Sequence, residues 1–188
     1  MERMARTRKI SPDDILDAAE RVVLKLGAAG FSIDAVAQEA GVSKSRVVYD
    51  HKSKSALLEA LIERRLNVDA ERIRVSVGQN SDAPHPELFG RIAVAEKAPD
   101  DTDKAVCLAI SAAMSSEEKI HDRMRQWTSD DVKDMNSGAR PKAALLAYLA
   151  LTGFYCTELF NFHEWEPKQR LEILDGIREI YTSLPDEK

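Results

Sequence analysis

Ile33-Asp-Ala-Val-Ala-Gln-Glu-Ala-Gly-Val-Ser-Lys-Ser-Arg-Val-Val-Tyr49 is the stretch on which the reading of this chain turns. Ala37 is small where two helices must approach closely. Gly41, four residues on, stands where a tight turn calls for φ > 0, which glycine adopts without strain. Val47 follows six residues later, and Val36, Ala40 and Val42 supply the remaining apolar contacts. The pattern, within residues 34–58, is a helix-turn-helix and marks the chain as a candidate reader of duplex DNA. No short motif elsewhere in the sequence is as strong.

Outward from that stretch, the punctuation is helical. Ser32 caps the second helix, which runs through Ala40, and Ser43 caps a third through about Asp50. Upstream, Ser11-Pro12-Asp13-Asp14 reads as an N-cap, a proline at the first helical position and acids in the first turn. Ile15, Ala18, Ala19, Val22, Val23 and Leu26 then recur at helical spacing until Gly27 and Gly30 end the element. Ser53 caps a fourth helix to about Val77, and residues 78–86, rich in Gly, Asn, Ser, Asp and Pro, form a loop. Helices are expected over about 87–97 and 102–114. Ser115-x-x-Glu118 reads as a capping box and Thr128-x-x-Asp131 as a second start. Two helices, about 141–162 and 167–184, close the chain. No strand pattern or repeat is present. The fold class is all-α: a helix-turn-helix domain at residues 1–54 with a basic N-terminal arm, and a helical domain at 55–188.

Composition narrows the function. The chain has 188 residues, 44% hydrophobic and 31% charged, with a net charge of −5, the profile of a soluble globular protein with a real core. The charge is uneven: residues 1–54 hold 10 Lys/Arg against 8 Asp/Glu, and the remainder 17 against 24. A basic head on an acidic body suits a protein that touches nucleic acid at one end. The run Arg3, Arg6, Arg8, Lys9 is open to two readings, a DNA-contacting arm or a solvated tail. Cys107 and Cys156 stand alone and the four histidines are scattered, so no disulfide, metal site or cofactor is expected. The absence of a leader pattern, and an uncharged apolar stretch of only 15 residues at Ala143–Thr157, favour a cytoplasmic protein with no membrane partner. No paired-carboxylate, nucleophile–base or phosphate-loop pattern argues for an enzyme.

The third helix opens on Ser43, Lys44, Ser45 and Arg46, where backbone N–H groups favour phosphate and the same turn can reach base edges in the major groove. The Arg46 fork matches O6 and N7 of guanine. Lys44, Tyr49, Lys52 and Lys54 would mostly position the protein on phosphates. Ser32 could cap its helix and still donate to a phosphate, and Arg6 and Arg8 would extend the contacts from the arm. The competing reading of these residues is a solvated, capped helical surface.

Two quoted segments carry a family resemblance: Ile15-Leu-Asp-Ala-Ala-Glu20, and Ile33 through Lys44, continued by Ser53-Lys-Ser-Ala-Leu-Leu58. The span Ile15–Leu61 resembles the N-terminal domain of TetR-type transcriptional regulators. It departs where these proteins usually show Leu-Tyr-x-His-Phe and this chain has Val47-Val48-Tyr49-Asp50-His51. Val48 replaces a tyrosine that commonly contacts phosphate. Asp50 would repel phosphate and should turn away or cap locally. Tyr49 is left to take over part of the phosphate role. His51 stands where an aromatic residue normally packs and is expected to be partly buried and satisfied.

One helix-turn-helix makes few contacts, so a homodimer on a two-fold axis is expected. The penultimate helix is apolar on most sides, and part of it needs a partner. Leu151, Leu159 and Phe160, with Leu171, Leu174, Ile177 and Tyr181 on the last helix, are the candidate interface of a four-helix bundle; the alternative is an intrachain core. The resemblance also implies a small-molecule effector, apolar or amphipathic, held between the middle helices and releasing the dimer from its operator, with repression the default. Candidate walls are Ile110, Met114, His121 and Met124, together with Trp127, Phe154 and Tyr155, and His121, Tyr155 or Glu158 could anchor a polar group. The rival function is a helix-turn-helix module that binds DNA or docks to a protein without an effector.

Overall fold

A computed structural model describes residues 10–185, and these form nine helices and no strand. They divide into two compact units, one ending at Glu63 and the other beginning at Arg64.

The head begins with α1 (Pro12–Gly30), opened by a reciprocal capping box. Asp14 N donates to Ser11 Oγ at 3.2 Å, and Ser11 N donates to Asp14 Oδ2 at 2.8 Å. Gly27, at φ 66°, breaks the helical run before the last turn. The next helices, α2 (Ile33–Ala40) and α3 (Lys44–Asp50), are capped by Ser32 and Ser43 as their spacing predicts. Gly41 between them sits at φ 67°, ψ 32°, and its neighbour Val42 N reaches back to Ala37 O at 3.0 Å. A Cβ at Gly41 would meet nothing within 4 Å, so it is backbone conformation, not space, that calls for glycine. Ile15, Ala19, Val23, Phe31, Val36 and Val47 form the buried interior. Glu39 joins α2 to α1 through Arg21 and Lys25, each at 2.7 Å; both cations are exposed, so the pair contributes little to stability.

The fourth helix, α4 (Lys54–Gln79), belongs to the head in its first turns. Leu57, Leu61 and Ile62 are buried there, which moves the division from the expected 54/55 into the helix itself.

The body comprises the rest of α4 with α5 (Pro86–Ala95), α6 (Asp101–Met114), α7 (Glu118–Met135), α8 (Pro141–Leu159) and α9 (Pro167–Ser183). Ala143, Ala144 and Ala147 form a small-residue face on α8, buried with Leu88, Ile92, Met135, Leu151, Leu174 and Ile177. His85 caps α5: Leu88 N donates to Nδ1 at 3.2 Å, and Nε2 lies 3.3 Å from Met135 O, which assigns the proton to Nε2. Two starts read from sequence differ. Ser115 turns its hydroxyl back to Ala112 O at 2.8 Å, and Glu117 becomes the N-cap of α7 without a side-chain bond. Thr128 starts nothing, because α7 runs unbroken through it.

Two buried arginines organise this unit. Arg170 pairs with Glu158 through Nε–Oε1 at 2.5 Å and Nη2–Oε2 at 3.0 Å, and donates to Ala95 O at 2.8 Å and Glu96 O at 2.9 Å. It thereby satisfies carbonyls left open at the end of α5. Arg91 meets Asp131 at 2.7 Å, Asp134 at 2.8 Å and Glu87 at 2.9 Å. Tyr148 donates to Asp131 at 2.9 Å, and burial, with Asp131 beside it, pushes the phenol up to about 12.

Candidate functional site

The exposed face of the head is carried by α3. Ser43, Lys44, Ser45, Val48 and Tyr49 are exposed, and the buried Val47 fixes which side of the short helix turns inward. Tyr49 is 79% exposed, an apolar ring left in water on a helix whose opposite side is core. Lys52 and Lys54 extend this polar surface beyond the helix, exposed and without an ion pair among the described residues. Lys44 pairs with Asp34 at 2.9 Å, both exposed, a contact weak enough for a phosphate to replace. Ser32 is half-buried, and its hydroxyl accepts from Ala35 N at 3.1 Å; it still has a proton to give. Arg6 and Arg8 lie outside the described residues.

Arg46 is more constrained than the other polar residues of this face. Its Nη2 donates to Ile10 O at 3.2 Å and lies 3.1 Å from Asp50 Oδ2, while the guanidinium sits 5.8 Å from the Tyr49 ring centroid. Asp50 has turned away from the exposed face, its side chain 10% exposed. The Arg46–Asp50 pairing was legible in principle from the i,i+4 spacing. The Ile10 carbonyl carries no sequence signal.

His51 is half-buried, but its Nε2 is enclosed with no hydrogen-bond partner; the expectation of a satisfied histidine is corrected. Burial pushes its pKa down, with the nearby Asp50 charge opposing. A histidine whose folded pKa lies below its ordinary value of about 6.5 binds protons more readily when unfolded. Its contribution is therefore whole above that value and declines as pH falls below it, down through the depressed folded pKa. His51→Phe is expected to remove this slope and, by removing an unpaired buried nitrogen, to add about 1 kcal/mol. Urea midpoints of the two proteins from pH 5 to 8 check it; parallel curves would refute it.

In the body, the expected effector walls do not converge. Met114, His121 and Met124 line one open groove of about 490 Å³ with Thr128, Ser129 and Val132. Trp127 lines another, of about 350 Å³, bounded by α4, α5 and α7. Phe154 is buried beneath the Arg170 guanidinium and beside Trp165, so it is core. Tyr155 packs against that core, and burial pushes its phenol up to about 12. Ile110 is half-buried and lines neither groove. As polar anchors, Glu158 is consumed by Arg170, and His121 is exposed beside Arg125. The Trp127 groove brings Glu87, Asp130, Asp131 and Asp134 together with Arg74, Arg91 and Arg123, a cluster of charges that composition did not reveal.

Of the expected dimer face, Leu151, Leu174, Ile177 and Tyr181 are buried with the chain's own core. Tyr181 meets His85 and Phe89 edge-on and donates to Pro84 O at 3.2 Å. Leu159 and Phe160 are half-buried, the latter stacked on the exposed Phe162. Leu171 is exposed, as are Leu146 and Leu149 on α8.

Comparison with known proteins covers both units. Residues 15–61 match the family described as "Bacterial regulatory proteins, tetR family", and residues 91–182 match the "Tetracyclin repressor-like, C-terminal domain". A TetR family transcriptional regulator from Pseudomonas syringae pv. tomato shares 19% identity at a TM-score of 0.61, covering 94% of this chain and 97% of that one. The multidrug binding protein EbrR, complexed with imidazole, shares 20% at 0.65, covering 88% and 93%. MexZ, a repressor responsible for antibiotic resistance in Pseudomonas aeruginosa, shares 18% at 0.58, covering 89% and 93%. At these identities the likeness is one of fold. No curated protein matches the sequence.

Proposed function

Because the chain belongs to the TetR family of transcriptional regulators, we propose that it is a ligand-responsive repressor which binds a palindromic operator as a homodimer. The observation that carries this is the exposed face of α3, where Ser43, Lys44, Ser45 and Tyr49 surround the tethered Arg46. Lys52 and Lys54 continue the positive surface toward the phosphate backbone. Two such helices, set about one DNA turn or ~34–36 Å apart by a two-fold axis, would read two half-sites. The exposed Leu146, Leu149 and Leu171 on the last two helices are the apolar surface we assign to the dimer contact. The protein acts in the cytoplasm; no described helix is long and apolar enough to cross a membrane.

The effector is amphipathic, and its seat is the Trp127 groove. That groove pairs the Trp127 ring with charged groups from three helices, and the structural relative EbrR is complexed with imidazole. A ligand there can release DNA only through its greater affinity for a non-binding conformation. The openness of both grooves favours the rival reading, a DNA-binding module without an effector. A compound that saturates the protein and leaves operator affinity unchanged at fixed salt would decide for the rival.

The direct test is a mobility-shift titration on the DNA flanking the chain's own reading frame, at several salt concentrations. Arg46→Ala should relax discrimination at one base, worth about 1–3 kcal/mol. Lys54→Ala should weaken all sequences alike and reduce the salt slope by about 1. Equal, sequence-independent losses from both would remove Arg46 from the reading role.

A further inference from the structure

Arg46 and Asp50 stand one turn apart on α3, and the surroundings of each are unusual. The polar contacts of the Arg46 guanidinium among the described residues fall on Nη2, which meets the Ile10 carbonyl and the Asp50 carboxylate. The Tyr49 ring lies beside the same group. Among the described residues no acceptor meets Nη1 or Nε, and of the two it is Nη1, at the tip of the group, that is placed to donate outward. Asp50 Oδ2 is enclosed and accepts no well-formed hydrogen bond, so it caps no backbone group; Arg46 is its charge partner.

From this geometry we propose that Asp50 is a positioning and specificity-determining residue, which makes Arg46 a reader of a base edge instead of a clamp on phosphate. This rests on the DNA-reading function proposed above. A free arginine carries large rotamer freedom and attracts phosphate anywhere along a duplex. Paired with Asp50, its net charge is cancelled and its contribution to non-specific attraction falls. Its side chain is held in one arrangement, so less freedom is lost when Nη1 donates to a single acceptor on a base edge, such as O6 or N7 of guanine. Asp50 itself stays covered and touches no DNA. The pair sacrifices raw affinity to gain selectivity.

The test uses the full chain and a pool of randomised duplexes spanning two half-sites, with a scrambled duplex as the non-specific probe. Selection with the native protein and with Arg46→Ala identifies the base that depends on Arg46. Asp50→Asn should then bind the scrambled duplex more tightly, with a salt slope steeper by about 1. Its discrimination at that base should fall roughly tenfold, about the effect of losing one charge-assisted hydrogen bond. The same substitution placed on Arg46→Ala should leave discrimination at that position unchanged, which a merely structural role of Asp50 does not predict. Should Asp50→Asn fail to melt cooperatively, Asp50→Glu takes its place. It keeps the charge but displaces it by a methylene, so scrambled-duplex binding should remain low while discrimination falls. Unchanged discrimination in a folded Asp50 variant overturns the proposal. A native protein that selects no consensus overturns the DNA-reading function instead.

Discussion

Arg170→Met is expected to cost the body about 3–5 kcal/mol, the range for removing one partner of a buried ion pair. The loss exceeds that of a surface pair, typically below about 1 kcal/mol, for two reasons. Glu158 and Arg170 are both buried, so the carboxylate left behind can recover little hydration. The same guanidinium also closes the Ala95 and Glu96 carbonyls, and methionine offers no donor to replace it. Glu158→Leu combined with Arg170→Met should restore only part of the loss, because the carbonyls stay open. Urea unfolding followed by far-UV circular dichroism measures all three proteins. A loss below about 1 kcal/mol in Arg170→Met would show that water reaches the site.

Gly90→Ala ranks second and is expected to destabilise although alanine is the better helix former. A Cβ at Gly90 would lie 2.8 Å from Val77 N, Cα and Cγ2. Two of those atoms are backbone and cannot rotate aside, so α4 and α5 must separate. Overpacking of this kind costs about 1–3 kcal/mol or more, and the upper end applies here. The gain in helix propensity offsets about 1 kcal/mol, leaving a net loss of about 2 kcal/mol. The Ser76 hydroxyl bond to Gly90 O, 2.9 Å long, is strained by the same separation. Gly176→Ala in α9 is the control. Its Cβ would meet nothing within 4 Å, and it should stabilise by about 0.5–1 kcal/mol. If both substitutions change the unfolding midpoint in the same direction, the close approach of α4 to α5 is not the constraint.

What could be read from sequence was local. Ser11, Ser32, Ser43 and Ser53 each accept from an amide three residues on, and such caps depend on little else. Gly41 was legible because a positive φ is a property of its own backbone. Periodicity placed Leu174, Ile177 and Tyr181 on one face but could not say whether their own chain or a second copy covered it. The expected effector walls are dispersed for a related reason. His121 and Trp127 are six residues apart on α7, roughly 240° round the helix, and so line different grooves. The tether of Arg46 to Ile10 O spans 36 residues, and no spacing rule announces a carbonyl as a partner.

The reach of Arg170 has a consequence in time as well as in free energy. Its bonds to Glu96 O and Ala95 O join residues 74 and 75 apart in the chain, whereas the α8–α9 packing joins neighbours in sequence. Local contacts form early and long closures late, since the entropy of a large loop must first be lost. Removing this arginine should leave the refolding limb of a chevron nearly unmoved and raise the unfolding limb, at unchanged slope, by nearly the whole loss in stability. Arg170 acts as the bolt shot after the door has closed: it adds little to how fast the body assembles and much to how long it stays shut.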